Sequence, residues 1–241
     1  NWSTMLKSGT SGLKKQCESG IKRSIDEKTR KYYECVLILL DAMEKWNDAH
    51  VEELEKRGMY EQAEICRKVP KYPAESFYEA VQSIWFTFAF VRLCGNWPGI
   101  GRIDYLLGEY LEKDLTSGVL TLDEAREILA HFFIKGCEWI SGGCYGSGDA
   151  QHYQNILLAG IDANGNEITN EVTYLVLEIL EELGISDFPT TVRINKNTDE
   201  KLLRRVAEVM RYGGGILAIY NEDLVIEALI KDGYDAREAW T

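Results

Sequence analysis

Apolar residues recur at helical spacing through most of the first half of the chain and give way to short β-branched runs in the second. From Ser3 to Val69 the spacing predicts long helices. Cys35, Leu37, Leu39, Leu40, Met43 and Trp46 form the apolar stripe there, and Gly58 marks a break. Pro70 and Pro73 close that block, because proline disfavours helix at the residue before it. Glu75 to Leu93 is apolar on nearly every face and is expected to be buried from several sides. After the polar stretch Cys94–Asp104, Ile103, Leu106, Leu107, Tyr110, Leu111 and Leu115 again sit at helical spacing. Thr121 and Glu124 form a capping box for a helix that buries Leu122, Ala125, Leu129, Phe132 and Phe133.

The period changes beyond His152. Asn155–Ala159, Thr190–Ile194 and Ile216–Tyr220 read as strands. Helices follow at Ile168–Leu183, at Thr198–Tyr212 with Thr198 as N-cap, and at Glu222–Lys231. A last turn of helix spans Asp235–Trp240. Three consecutive β-α units predict parallel strands with helices outside, in a doubly wound sheet or a barrel. Sites in such folds lie beyond the carboxyl ends of the strands, which points to Gly160, Arg193, Asn195, Tyr220, Asn221 and Glu222. Three parallel strands leave an open edge, so the chain reads as an inner piece of something larger. The helical part is taken as residues 1–152 and the β-α part as 153–241 of one domain.

Charge and cysteines narrow the function classes. Thirty-nine acids against twenty-seven bases give a net charge of −12. That balance argues against a nucleic-acid partner, because phosphate neutralisation needs clustered Lys and Arg. No apolar stretch is long enough to span a membrane, since Arg92 interrupts the longest candidate. Six scattered cysteines without a C-x-x-C pair read as free thiols in a reducing cytoplasm. Gly142–Gly148 follows a helix and precedes a strand, the reverse of a phosphate cradle, and reads as a connection. Asp162–Asn166 reads as a turn rather than a calcium loop, its glycine falling two positions early. His131 has no second histidine one turn on, and His152, at the start of a strand, reads by default as a structural, hydrogen-bonded histidine or else lines a site.

Several stretches in order resemble the glycyl radical enzymes, the family of pyruvate formate-lyase and its dehydratase and decarboxylase relatives. Ala63–Pro70 with Phe77–Phe86 resembles the A-E-x-C-x-x-V-P and F-x-E-A-x-Q-x-x-W-F run. Gly101–Asp104 with Tyr110 and Lys113–Leu115 resembles G-R-x-D and the segment behind it. Gln154–Ile156 with Gly160, Asn170–Tyr174, Val192–Thr198, and Gly213–Gly215 with Tyr220–Asp223 are similar to the later motifs.

The resemblance implies an α/β fold: a helical N-terminal part followed by β-α units of a partial ten-stranded, two-half-barrel α/β barrel. It implies radical cleavage of a C–C, C–O or C–N bond in a small organic substrate, of formate acetyltransferase, dehydratase or decarboxylase type. The family's catalytic cysteine and radical glycine belong to segments outside residues 1–241, so no catalytic residue and no metal ligand is assigned here. No cofactor is expected on this chain. The glycyl radical is installed elsewhere in the full-length protein by an S-adenosylmethionine and iron–sulfur activating enzyme, an implied partner, and a cytoplasmic homodimer is expected. The fragment alone is not expected to be active. The alternative is a non-catalytic paralogue serving as an interaction module.

The substrate-facing candidates are Asn96, Trp97, Arg102, Tyr153, Asn155, Arg193, Tyr220 and Asn221. Asn96 and Trp97 stand where dehydratase-type members typically carry His-Ser, and the indole makes a small polyol a poor fit. Arg102 or Arg193 is expected to anchor a carboxylate; Arg102 alternatively pairs with Asp104 and fixes its own loop.

Overall fold

The computed structural model describes residues 1–93, 98–137, 154–185, 188–213 and 217–239. They form two compact units, Asn1–Asn96 and Trp97–Thr241.

The first unit is helical: α1 (Trp2–Arg23), α2 (Glu27–Lys56), α3 (Tyr60–Lys68) and α4 (Phe77–Leu93). The α4 expectation holds. No residue from Phe77 to Arg92 is exposed, and Phe77 and Phe88 are fully buried. Met5, Met43 and Phe86 form one core with Leu13, Trp46 and Phe90, and Val51, Ala63 and Cys66 form another. The stripe on α2 is rotated from the predicted one. Leu40, Met43, Asn47 and Val51 are buried, whereas Cys35 and Leu39 are exposed and Ile38 is 67% exposed. Apolar residues occupy both sides of this helix, so spacing alone does not choose the inner one. Gly9 interrupts α1, and a side chain there would meet the Lys71 carbonyl oxygen at 2.4 Å. That close approach explains the glycine.

The second unit carries β1 (Gly101–Arg102), α5 (Ile103–Thr116), α6 (Leu122–Cys137), β2 (Ile156–Ala159), α7 (Glu171–Leu183), β3 (Thr190–Ile194), α8 (Glu200–Met210), β4 (Leu217–Asn221), α9 (Glu222–Lys231) and α10 (Ala236–Ala239). Helices α5 and α6 thus join the sheet-bearing unit although they precede residue 153. The capping box of α6 forms as expected, Thr121 and Glu124 bonding reciprocally at 2.8 and 3.3 Å. Leu122 is 44% exposed rather than part of the buried face, because it opens the helix before the first inward turn. Asp199, not Thr198, caps α8; the Thr198 hydroxyl instead accepts the Asn195 N–H at 2.8 Å. Helix α7 starts at Glu171, with Asn170 as cap. The Asp162 turn forms as read, its carboxylate accepting the N–H groups of Asn164 and Asn166.

The four strands among the described residues are all parallel and lie in the order β1-β2-β3-β4. Sequence reading misses β1, which is two residues long and opens on a glycine at φ 73°. The consecutive order separates the two topologies left open above. A doubly wound sheet reverses its order, whereas consecutive parallel strands with crossovers of one hand put every connecting helix on the same face. Helices α5, α7 and α8 pack in series as one layer.

Register then assigns each side chain to a face. Ile156, Leu158, Thr190 and Val192 belong to the helix side and are at most 1% exposed. Arg102, Leu157, Thr191 and Ala218 form one row on the other face, and Ala159, Arg193 and Tyr220 form the next. Phe188 seats α6 against the sheet. It is fully buried, with its ring 4.9 Å from that of Phe133, and a side chain on Gly136 would strike it at 2.2 Å.

Candidate functional site

The carboxyl ends of β1, β2 and β3 carry a connected polar network. Asp104, in the first turn of α5, is fully buried. Its Oδ2 accepts the Ala159 N–H at 2.6 Å and the Thr173 hydroxyl at 2.8 Å, and its Oδ1 accepts the Tyr105 N–H at 2.8 Å. Burial pushes the carboxyl up to about 6, and these three donors and the charge of Arg102 only partly offset that.

Arg102 does not pair with Asp104: among the described residues no ion pair joins them. Its Nη2 donates instead to the Ala159 carbonyl at 3.1 Å, and its guanidinium lies 5.6 Å over the Tyr105 ring. Burial and the nearby charge of Arg193 lower the Arg102 pKa despite Asp104 and Glu222. The two arms of the G-R-I-D segment therefore hold opposite ends of one residue, Ala159. That residue has φ 59°.

The network continues past Ala159. Gly160 has φ 78°, and a side chain there would lie 2.8 Å from the Arg193 Cβ and 2.9 Å from a Glu222 oxygen. The Ile161 N–H donates to both Glu222 oxygens at 3.1 and 3.3 Å. Glu222, 2% exposed, forms an ion pair with Arg193 and accepts Asn195 Nδ2 at 3.3 Å. On the other side Asn170, the α7 cap, donates to the Asp104 backbone carbonyl at 3.0 Å. The buried carboxylate of Glu222 is thus paired and hydrogen-bonded, as a buried charge must be.

Of the eight substrate-facing candidates, Asn96, Trp97 and Tyr153 lie outside the described residues, as do His152 and the Gly142–Gly148 segment. Arg102, Arg193 and Tyr220 come together on the face of the sheet opposite the helix layer, Tyr220 being 54% exposed. Asn155 precedes β2, and its carbonyl accepts the N–H groups of Ile100 and Gly101, both at 3.0 Å. Asn221 caps α9, its side chain accepting the Leu224 N–H at 3.2 Å. Sequence reading pointed to Glu222 and Asn195 from their place at strand ends and placed Thr173 in a motif-like stretch without giving it a role, but gave no signal for Ala159. Alanine carries no sign of an unusual φ.

Chemically the arrangement offers guanidinium and phenol groups on one sheet face, Arg193 being held by the buried carboxylate of Glu222. Among the described residues no group of three or more His, Cys, Asp or Glu is placed to hold a metal ion. No described helix is long and apolar enough to cross a membrane. Among the described residues Cys17, Cys35 and Cys66 are free thiols. A surface groove of about 530 Å³ between α5 and the β2–α7 connection is lined by Glu109, Glu112, Asp162, Glu167 and Glu171, and includes none of the predicted site residues.

The comparisons with known proteins agree with the architecture. Isethionate sulfite-lyase of Oleidesulfovibrio alaskensis is 29% identical over 99% of this chain and 32% of its own length. The solved structure of hydroxyproline dehydratase from Clostridioides difficile, with trans-4-hydroxy-L-proline bound, matches with a TM-score of 0.88. It is 28% identical over 98% of this chain and 33% of that one. A glycyl radical enzyme from Archaeoglobus fulgidus matches with a TM-score of 0.85 and 28% identity, over 100% of this chain and 34% of that one. The chain therefore spans about a third of the length of the relatives it matches. The family model described as pyruvate formate lyase-like matches residues 1–241. With the barrel-type sheet and its motif-built network already in place, that match settles the family: the chain belongs to the pyruvate formate lyase-like group, the glycyl radical enzymes.

Proposed function

We propose that this chain is the part of a glycyl radical lyase or dehydratase that carries one wall of the substrate cavity. The observation that supports this most directly is the open sheet face on which Arg102, Arg193 and Tyr220 meet, inside a chain that matches radical lyases and dehydratases over its whole length. A protein-borne glycyl radical, installed elsewhere by an S-adenosylmethionine and iron–sulfur activating enzyme, supplies hydrogen-atom abstraction. The work of these residues is to bind and orient. Arg193, held by Glu222, presents its remaining donors to an anionic group, and Tyr220 offers a hydroxyl in the same row. A rigid wall of parallel strands keeps that geometry fixed and water away from the reacting carbon. The substrate carries an anionic group, a carboxylate or a sulfonate, rather than being a small neutral polyol, consistent with an indole at Trp97 in place of a serine hydroxyl.

The test is anaerobic activation of the full-length protein by its activating enzyme, read by electron paramagnetic resonance. A glycine-centred radical together with bond cleavage in an anionic substrate is expected. Absence of the radical overturns the reading as an enzyme in favour of a non-catalytic module. Efficient dehydration of glycerol or propane-1,2-diol overturns the substrate class.

A further inference from the structure

Ala159 is the one residue other than glycine, among those described, whose backbone is left-handed. Side chains disfavour that conformation, and it persists only where the surroundings enforce it. Here the enforcement is visible: Asp104 takes the Ala159 N–H at 2.6 Å and Arg102 takes its carbonyl at 3.1 Å. Asp104 is itself braced by the Thr173 hydroxyl from α7. What the turn achieves lies two residues on. It brings Gly160 flat against Arg193 and Glu222, where no side chain fits, and aims the Ile161 N–H at both oxygens of Glu222.

We propose that Asp104 is a positioning residue. By holding Ala159 in its left-handed turn, it delivers the Ile161 N–H to Glu222 and, through Glu222, fixes the guanidinium of Arg193. This rests on the reading above that Arg193 faces the substrate. Asp104 touches no substrate. An extended Ala159 would swing Ile161 away, leaving Glu222 with Arg193 and Asn195 as its remaining partners and the ion pair free to turn. The carboxylate is needed as such. In Asp104→Asn, whichever way the amide is turned, an NH2 replaces an acceptor and faces a backbone N–H.

The test uses the full-length protein with Asp104→Asn, Ala159→Gly and the double variant. In Asp104→Asn, hydrogen exchange at the Ile161 amide is expected to quicken roughly tenfold, the equivalent of one lost hydrogen bond. In the activated enzyme, on whichever of isethionate and trans-4-hydroxy-L-proline the wild type converts, KM rises about tenfold at nearly unchanged kcat and radical yield. Ala159→Gly, which removes the side-chain penalty against the turn, restores both to within about threefold when added to Asp104→Asn. Unchanged Ile161 exchange in Asp104→Asn, a loss confined to kcat, or no rescue by Ala159→Gly overturns the proposal. A wild type that forms no radical or converts neither compound counts against the functional reading alone, and the exchange and rescue measurements then decide this one.

Discussion

A carboxyl group buried as deeply as that of Asp104 ties stability to pH. Its pKa in the folded chain is about 6, against 3.8 for the ordinary group, so the folded state holds its proton more tightly than the unfolded state does. The contribution is full below pH 3.8 and is lost as pH rises through about 6, a difference of roughly 3 kcal/mol. Asp104→Asn has no such titration. Its penalty relative to wild type is therefore expected to be larger at pH 4.5 than at pH 7, measured as the difference in unfolding temperature. A penalty that grows with pH would show that Asp104 is not held against its charge. Residue identities were only partly informative at this scale. The polar residues at strand ends were legible because parallel sheets put sites there. That Arg102 and Asp104 serve one backbone residue rather than each other was not, since the partner is an alanine peptide 55 positions away. Asn155 likewise makes backbone contacts whose partners, Ile100 and Gly101, sequence alone does not reveal.

Among the elements, long periodic helices and β-branched strands were read nearly as they stand, and their ends were not. Caps decide those ends: Asn170 rather than Ile168 opens α7, and Asp199 rather than Thr198 opens α8. Strand β1 escaped because two residues contain no period. The docking of α6 turns on Phe188, which fills the space that Gly136 leaves open. Phe188→Ala is expected to cost about 3–5 kcal/mol, seen as a fall in the unfolding temperature of the full-length protein. Gly136→Ala should also destabilise, by overpacking rather than by cavity. A neutral result for Phe188→Ala would mean that other contacts seat the helix.

For the molecule as a whole, the sheet ends in a strand with little cover: Ala218, Ile219, Tyr220 and Asn221 are all exposed. Leu224 at 62% exposed and Ile38 on α2 add further apolar surface to their own units. Residues 1–241 expressed alone are expected to aggregate or to remain partly unfolded, as judged by size-exclusion chromatography and thermal melting. A monomer that melts cooperatively would contradict this. The fold class was legible because three β-α units in a row leave few arrangements. The choice between winding patterns was not, since both share that order of elements, and only the pairing of strands separates them.

The one-sided layering has a consequence for how such a protein changes its chemistry. Along β3, Val192 faces the helices while Thr191 and Arg193 face the other way. On the proposed reading, folding and selectivity are thus written on alternate letters of the same strand. Exchanging the odd letters would re-tailor that face while leaving the packed side nearly untouched, and neighbouring strands repeat the choice at intervals of about 5 Å. A scaffold ruled in this way lets new substrates be tried one stave at a time.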